Sequence, residues 1–370
     1  MGNFLNRILF LFLFVSISCV LYAESVDLFE AIGWEDEAEL KKALSAGGNV
    51  NHVDSSENIS ILMRAIDTMK PNLVQILLER KANVNQKMPG TQKTALMHFM
   101  EKFIKNAEAD ENGETRYVDD GGMISIFNQL IKAGAKVNDI DSEGKSVLSY
   151  AINSPYASQS QTILNKLISL KVNPNIKYSN DIPKPICLVV AEDTSGQQRE
   201  AFKAFIKQKL CDPNQVYEER NQRKTTLLFI AVSKKEREEV EFLLEMGANP
   251  NKGASDTLMD YLPVFVDISN YEFLELFMKH KADPNSIENE IHIMEHAARN
   301  VTDDADGERI IDLLLKYGSN INHPKLYDSY TPYNKAVYAA HVVGKYRIEK
   351  YLEKKGAVTS DKLKNQKKNK

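Results

Sequence analysis

The chain has 370 residues, 43% of them hydrophobic, and a formal net charge of −4. Basic and acidic residues are interspersed along it, so no single-sign field is available to draw in nucleic acid or a membrane surface. A chain this long would ordinarily form two domains with separate cores, an expectation that the internal repetition described below replaces.

At the N-terminus, Arg7 precedes the apolar run Ile8 to Val15, which ends near Tyr22-Ala23. About fifteen apolar residues are too few to span a bilayer, which needs roughly twenty. A basic start, a short apolar centre and a small residue before Glu24 predict a secretory signal peptide over 1–23 and export to the periplasm or the secreted fraction. Ser16-Ile17-Ser18-Cys19 resembles a relaxed bacterial lipoprotein box, with Ser16 where leucine is expected. A lipid on Cys19 is the alternative to cleavage after Ala23, and the one expected link to a membrane.

From residue 24 to 358 one sentence is written repeatedly. Its clearest copy is Glu238 to Asn251, EEVEFLLEMGANPN. Val240, Leu243 and Leu244 form one apolar stripe on a short helix, and Gly247 supplies the left-handed residue that ends it. Ala248-Asn249-Pro250-Asn251 then leaves in extended form, because the residue before proline avoids the helical region. The closing asparagines fall at 51, 85, 138, 175, 214, 251, 285 and 322, and a degraded last copy ends near 358. Such spacing, with two helices and a turn per unit, predicts a stacked repeat array. Lys81, Lys171, Leu210 and Lys281 stand where the turn glycine is expected, which predicts strain or altered geometry there.

Each unit opens with its own frame. Ser60-Ile61-Leu62-Met63-Arg64-Ala65, Thr94-Ala95-Leu96, Ser146 to Ala151, Thr226 to Ala231 and Thr331-Pro332-Tyr333-Asn334-Lys335-Ala336 place Ser or Thr where a helix needs a cap. These frames resemble the Thr-Pro-Leu-His-x-Ala opening of ankyrin repeats. The resemblance covers about nine units and implies an all-α ankyrin-repeat solenoid of helix-turn-helix units joined by hairpin-like loops. It further implies a monomeric, non-enzymatic scaffold that binds protein partners through its hairpin tips and the inner face of its first helices. The tip residues singled out are Met88, Glu143 and Lys145, Tyr178, Tyr217 with Arg220 and Arg223, and Tyr327 with Tyr330. Tyrosine and arginine are the types that anchor interfaces. Trp34, at the turn inside the first unit, is read as packing.

Several segments depart from the repeat. An acidic insertion at 106–122 separates the two helices of the third unit. Within it Glu108, Asp110, Asn112, Gly113 and Asp119 approach the spacing of a calcium loop, but Glu108 replaces Asp at the first position and Asp119 replaces the closing Glu. A solvated acidic loop is the expectation, with no bound metal and no cofactor. Smaller insertions at 153–161, 192–198 and 300–308 also fall between paired helices. His292-Ile293-Met294-Glu295-His296 fits the inverted zinc-peptidase pattern, which needs both imidazoles on one helix face. A metal-dependent peptidase is thus the alternative function, and a lipid-anchored structural envelope protein a further one. Cys187 and Cys211 share one repeat at positions that look buried; packed thiols and a bridge are both open. Residues 359–370 hold five lysines and one aspartate, a basic tail of disordered composition.

Overall fold

The structure is a computed structural model that describes residues 28–105, 122–152, 157–193, 198–218, 224–253, 271–288, 290–301, 303–327 and 334–359. The expected signal peptide, Cys19, the insertion with Glu108, Asp110, Asn112 and Asp119, the tip residues Arg220, Arg223 and Tyr330, and the tail beyond Thr359 lie outside these. The described residues are predominantly helical, and they divide into two compact units, Met1–Leu210 and Cys211–Lys370.

The described residues of the first unit form five helix pairs: α1 (28–33) with α2 (Glu37–Ser45), α3 (Ile61–Asp67) with α4 (Pro71–Glu79), and α5 (Ala95–Lys105) with α6 (Gly122–Lys132). Then follow α7 (Val147–Ile152) with α8 (Ala157–Ser169) and α9 (Ile186–Glu192) with α10 (Arg199–Lys207). First helices pack on first helices, α3 on α5 and α5 on α7, while second helices pack on second ones, α2 on α4 and α4 on α6. Phe99, Phe103 and Phe127 fill the third pair, their rings 5.9 and 6.3 Å from Phe99 to its two neighbours. Each such side chain contributes roughly 1.5–3 kcal/mol by leaving water.

In the second unit the described helices are α11 (Leu227–Ser233), α12 (Arg237–Glu245), α13 (Tyr271–Lys279), α14 (Ile293–Asn300), α15 (Asp304–Lys316), α16 (Lys335–Val342) and α17 (Tyr346–Lys354). Here too α14 packs on α16, and α12, α13, α15 and α17 pack in succession. Among the described residues three short antiparallel hairpins accompany the helices: β1 (Val53–Asp54) with β2 (Ile59–Ser60), β3 (Tyr217–Glu218) with β4 (Lys224–Thr225), and β5 (Ile287–Glu288) with β6 (Ile291–His292).

The predicted stripe on α12 is in place, with Val240, Leu243 and Leu244 all buried. Gly247, at φ 90°, ends the helix. Its amide donates to the Leu244 carbonyl at 3.1 Å and the Ala248 amide to Leu243 at 2.9 Å, the paired closure of a helix C-terminus. Lys81 (φ 62°), Lys171 (54°) and Lys281 (68°) take the same left-handed conformation without glycine. In the fifth pair it is Lys209 (57°) and not Leu210 that does so, because that turn is one residue longer. The expected caps also form: Ser60, Thr94, Ser146 and Thr226 each accept the amide three residues on, at 3.1 to 3.5 Å.

The closing asparagines, in the sequence only a spacing marker, bond to the turn that follows within each unit. In the second unit Asn214 Nδ2 donates to the Gly247 carbonyl at 2.9 Å while its Oδ1 accepts from the Asn249 amide at 2.7 Å. Asn251 does the same to Lys281 and Asp283 (3.1 and 2.6 Å), Asn285 to Gly318 and Asn320, and Asn322 to Gly356 and Val358. In the first unit Asn85 bonds Gly134 and Lys136, Asn51 accepts from Asn83, Asn138 accepts from Asn173, and Asn175 donates to Leu210. One amide side chain thus satisfies both an orphan helix-end carbonyl and an extended-chain amide of the neighbouring turn.

Three expectations are corrected. The last first helix starts at Lys335 with Asn334 as its cap, its Oδ1 accepting the Ala336 amide at 2.9 Å, so the Thr331 frame is one helical turn too early. Asn334 can cap because its side chain, like that of Ser or Thr, reaches back to the second amide. The insertions at 153–161 and 300–308 are spent largely on lengthening α8 and α15, each 13 residues, instead of forming loops. Trp34 is 71% exposed and does not pack. Cys187 and Cys211 are each fully buried and each disulfide-bonded.

Candidate binding surface

The hairpin tips of the first unit are locked to one another through backbone groups. Asn58 Nδ2 donates to the Pro89 carbonyl at 2.5 Å, the Ser142 amide to Thr91 at 2.8 Å, and the Asn180 amide to Glu143 at 2.7 Å. Gly144 sits at φ 76°, and a Cβ there would lie 2.5 Å from Asn180 Oδ1, so this tip closes only around glycine.

This bonding decides which tip residues are available. At four of the turns the residue three places after the closing asparagine points inward: Met88 is 1% exposed, Tyr178 7% and Tyr217 3%, and Asp141 is buried at the same place, whereas Asp54 is half-buried and Lys325 exposed. Met88, Tyr178 and Tyr217 are therefore corrected from surface contacts to core residues. Burial, with the nearby Asp212 charge, pushes the Tyr217 phenol up, and its hydroxyl has no hydrogen-bond partner. Tyr327 is half-buried, its hydroxyl 2.7 Å from Asn322 Oδ1 and 2.8 Å from the Val358 carbonyl, so it braces the end of the asparagine series. Glu143 is exposed and Lys145 half-buried, and the two pair at 2.6 Å. That bond holds the Glu143 carboxyl below its ordinary value and the Lys145 ammonium above its own.

The resemblance implied that the inner face of the first helices binds partners, but no residue of that face was singled out in the sequence. Counting from each cap, the fourth residue is Arg64, His98, Tyr150 or Val189 in the first unit, each half-buried between apolar neighbours. Around them runs a chain of polar contacts. Asp67 Oδ1 lies 2.8 Å from His98 Nε2 and 3.0 Å from Lys102 Nζ. Burial works to raise the Asp67 carboxyl, but His98 and Lys102 outweigh it and hold it low. Lys93 pairs with Glu101 at 2.6 Å and sits 5.8 Å over the Tyr150 ring. Tyr150 donates to Asp141 Oδ2 at 2.7 Å, and burial with that bond pushes its phenol up. Lys184 and Glu192 repeat the Lys93–Glu101 spacing at 2.7 Å. The available signal was the polar residue at the fourth place in three of these four helices, which are otherwise apolar at that end.

The H-x-x-E-H segment does not form a metal face. His292 precedes α14 as its cap, with Nδ1 accepting the Met294 amide at 3.1 Å, while His296 lies inside the helix. Glu295 pairs with Arg299 at 3.5 Å. Among the described residues no group of three or more His, Cys, Asp or Glu side chains is placed to hold a metal ion. No described helix is long and apolar enough to cross a membrane.

No family model matches the chain, and no curated protein matches it. Among solved structures it is similar to a chain from the complex of a predatory endopeptidase from Bdellovibrio bacteriovorus with an immunity protein. The identity is 22%, the match covers 59% of this chain and 97% of that one, and the TM-score is 0.39. At that score neither fold nor activity follows from the likeness.

Proposed function

We propose that the chain is a non-enzymatic ankyrin-repeat scaffold, exported to the periplasm or the secreted fraction, that binds a protein partner. The contact surface in this reading is the solvent-facing side of the first helices, Arg64, Asp67, His98, Lys102 and Tyr150, together with the tip residues Glu143 and Lys145. The observation that carries it is the asparagine series. It fixes each helix pair through backbone groups of the next turn and leaves the fourth-place side chains outside that bonding. A surface held in place before contact loses little conformational freedom on binding, which lowers the cost of association. The peptidase alternative has no supporting observation once His292 serves as a cap.

Photo-crosslinking residues introduced at Lys102 and Glu143, compared with Glu79 and Lys132 on the second helices, test this in cells. A discrete protein adduct at the first two sites and none at the controls is expected. Equal labelling at all four sites, or peptidase activity dependent on Glu295, would remove the scaffold reading.

A further inference from the structure

The second unit contains two imidazoles used as helix caps, one against the other. His292 is fully buried, and its ring centroid lies 4.9 Å from that of His323, with the planes 34° apart. His292 Nδ1 accepts the Met294 amide at the start of α14, and His323 Nδ1 accepts the Lys325 amide of the 3-10 turn Pro324–Leu326 at 3.3 Å. A ring nitrogen that accepts carries no proton, so His292 must be the tautomer with hydrogen on Nε2. That Nε2 is buried and has no hydrogen-bond partner. One helical turn on, His296 Nδ1 is likewise buried without a partner.

We propose that the His292–His323 pair is an acid-operated latch: a proton taken up at His292 breaks the cap of α14 and loosens that helix within the second unit. Protonation puts a hydrogen on Nδ1, so the Met294 amide loses its acceptor and faces a second donor. The new positive charge also sits at a helix N-terminus, where the dipole opposes it. Among the described residues no carboxylate is positioned to offset that charge. On α14 itself Glu295 is engaged by Arg299, and on the 3-10 turn Lys325 is bound to Glu290 at 2.7 Å. On α15, Asp306 is bound to Arg309, Glu308 to Arg347 and Asp312 to Lys355. On α16 and α17 the titratable pair is His341 with Glu349, while Lys335 adds a further cation. Thr226 fills the same cap position at α11 with a hydroxyl, which cannot take up a proton in this range.

Burial, reinforced by His323, pushes the His292 imidazole down to about 4. Burial and then Arg299 push His296 down as well. The folded value lies below the ordinary 6.5, so the unfolded or opened state binds the proton first. Stability is undiminished above about pH 6.5 and falls as pH drops from there towards 4. From these two values the opening equilibrium of α14 shifts about 30-fold in favour of opening between pH 7.5 and 5, and about 300-fold at the acid limit. The latch does not depend on what the surface binds.

Amide exchange of the full chain, corrected for its intrinsic pH dependence and read at residues 294–300, tests the proposal. The expected result is a loss of protection of about 30-fold from pH 7.5 to 5. In His292→Thr, which restores a hydroxyl cap, the loss should shrink to a few-fold. Equal acid sensitivity in the two proteins would overturn it. So would titration of the His292 ring at pH 6 or above, read by NMR on the unaltered chain, a measurement that stands even if the variant fails to fold.

Discussion

Asn251→Ala isolates the asparagine series at one joint. The side chain makes two bonds to the next turn, donating to the Lys281 carbonyl at 3.1 Å and accepting from the Asp283 amide at 2.6 Å. The bond from its own amide to Asn249 Oδ1 at 2.9 Å survives the change. At a net 0.5–1.5 kcal/mol per bond, the substitution should cost about 2 kcal/mol. Lys281 sharpens the test, because its left-handed backbone at φ 68° is already held at a cost and its carbonyl loses its partner. Asn251→Asp keeps the acceptor for Asp283 but replaces the donor with a charge facing a carbonyl, so it should cost nearly as much. Glu241→Ala, on the exposed side of α12, is the control and should stay within about 0.5 kcal/mol. Urea unfolding followed by circular dichroism gives the stabilities, and exchange of the Asp283 amide reports the joint itself. A cost below about 0.5 kcal/mol for Asn251→Ala, with Asp283 exchange unchanged, would refute a structural role for the series.

Four further substitutions follow from the same geometry. Tyr217→Phe removes a buried hydroxyl that has no partner, so the melting temperature should hold or rise; Tyr217→Ala should cost about 3 kcal/mol or more as a cavity opens. Lys171→Gly relieves a left-handed backbone at φ 54° and should stabilise by up to about 1 kcal/mol in thermal unfolding, less what glycine gains in the unfolded chain. Gly144→Ala combines a positive φ with a contact of 2.5 Å to Asn180 and should cost about 2 kcal/mol or more; a melting curve within error of the parent would mean the tip bonding is not rigid.

The helices, their caps and their stops were legible because each rests on chemistry local to a few residues. An apolar stripe such as Val240, Leu243 and Leu244 needs only helical spacing, and Ser60 or Thr226 caps the turn that follows it. The tips were not legible for the opposite reason. Whether Tyr178 faces solvent depends on bonds to a hairpin 38 residues away, such as that from Asn180 to Ser142, and Tyr217 turns inward on a hairpin whose own strands give no sign of it. Composition favours tyrosine at interfaces, but the inward position after the closing asparagine overrides it. The Thr331 frame failed because two caps lay three residues apart in sequence, and Asn334 was the one that preceded the buried Ala336, Val337, Ala339 and Ala340. The role of the asparagines was missed although their positions were read correctly, since a side chain bonding across units leaves only a period in the sequence.

That division between fixed and free positions is what makes the candidate surface testable. The asparagines reach backbone carbonyls and amides, so they place no demand on the side chains of the turn they hold. The caps likewise use amides at the second or third residue of each helix. The fourth and seventh places are then outside both sets of bonds, and they vary accordingly. In the first unit the seventh place carries Asp67, Glu101 and Glu192; in the second it carries Ser233, Arg299 and His341. Replacing Glu101 or Lys102 leaves every cap and every asparagine bond in place, so a loss of partner contact there without a change in stability separates recognition from folding. His292 is the instructive exception. It sits in the cap position itself, where Thr226 would serve the helix equally well, and its ring brings a proton equilibrium into a slot that other units keep insensitive to pH.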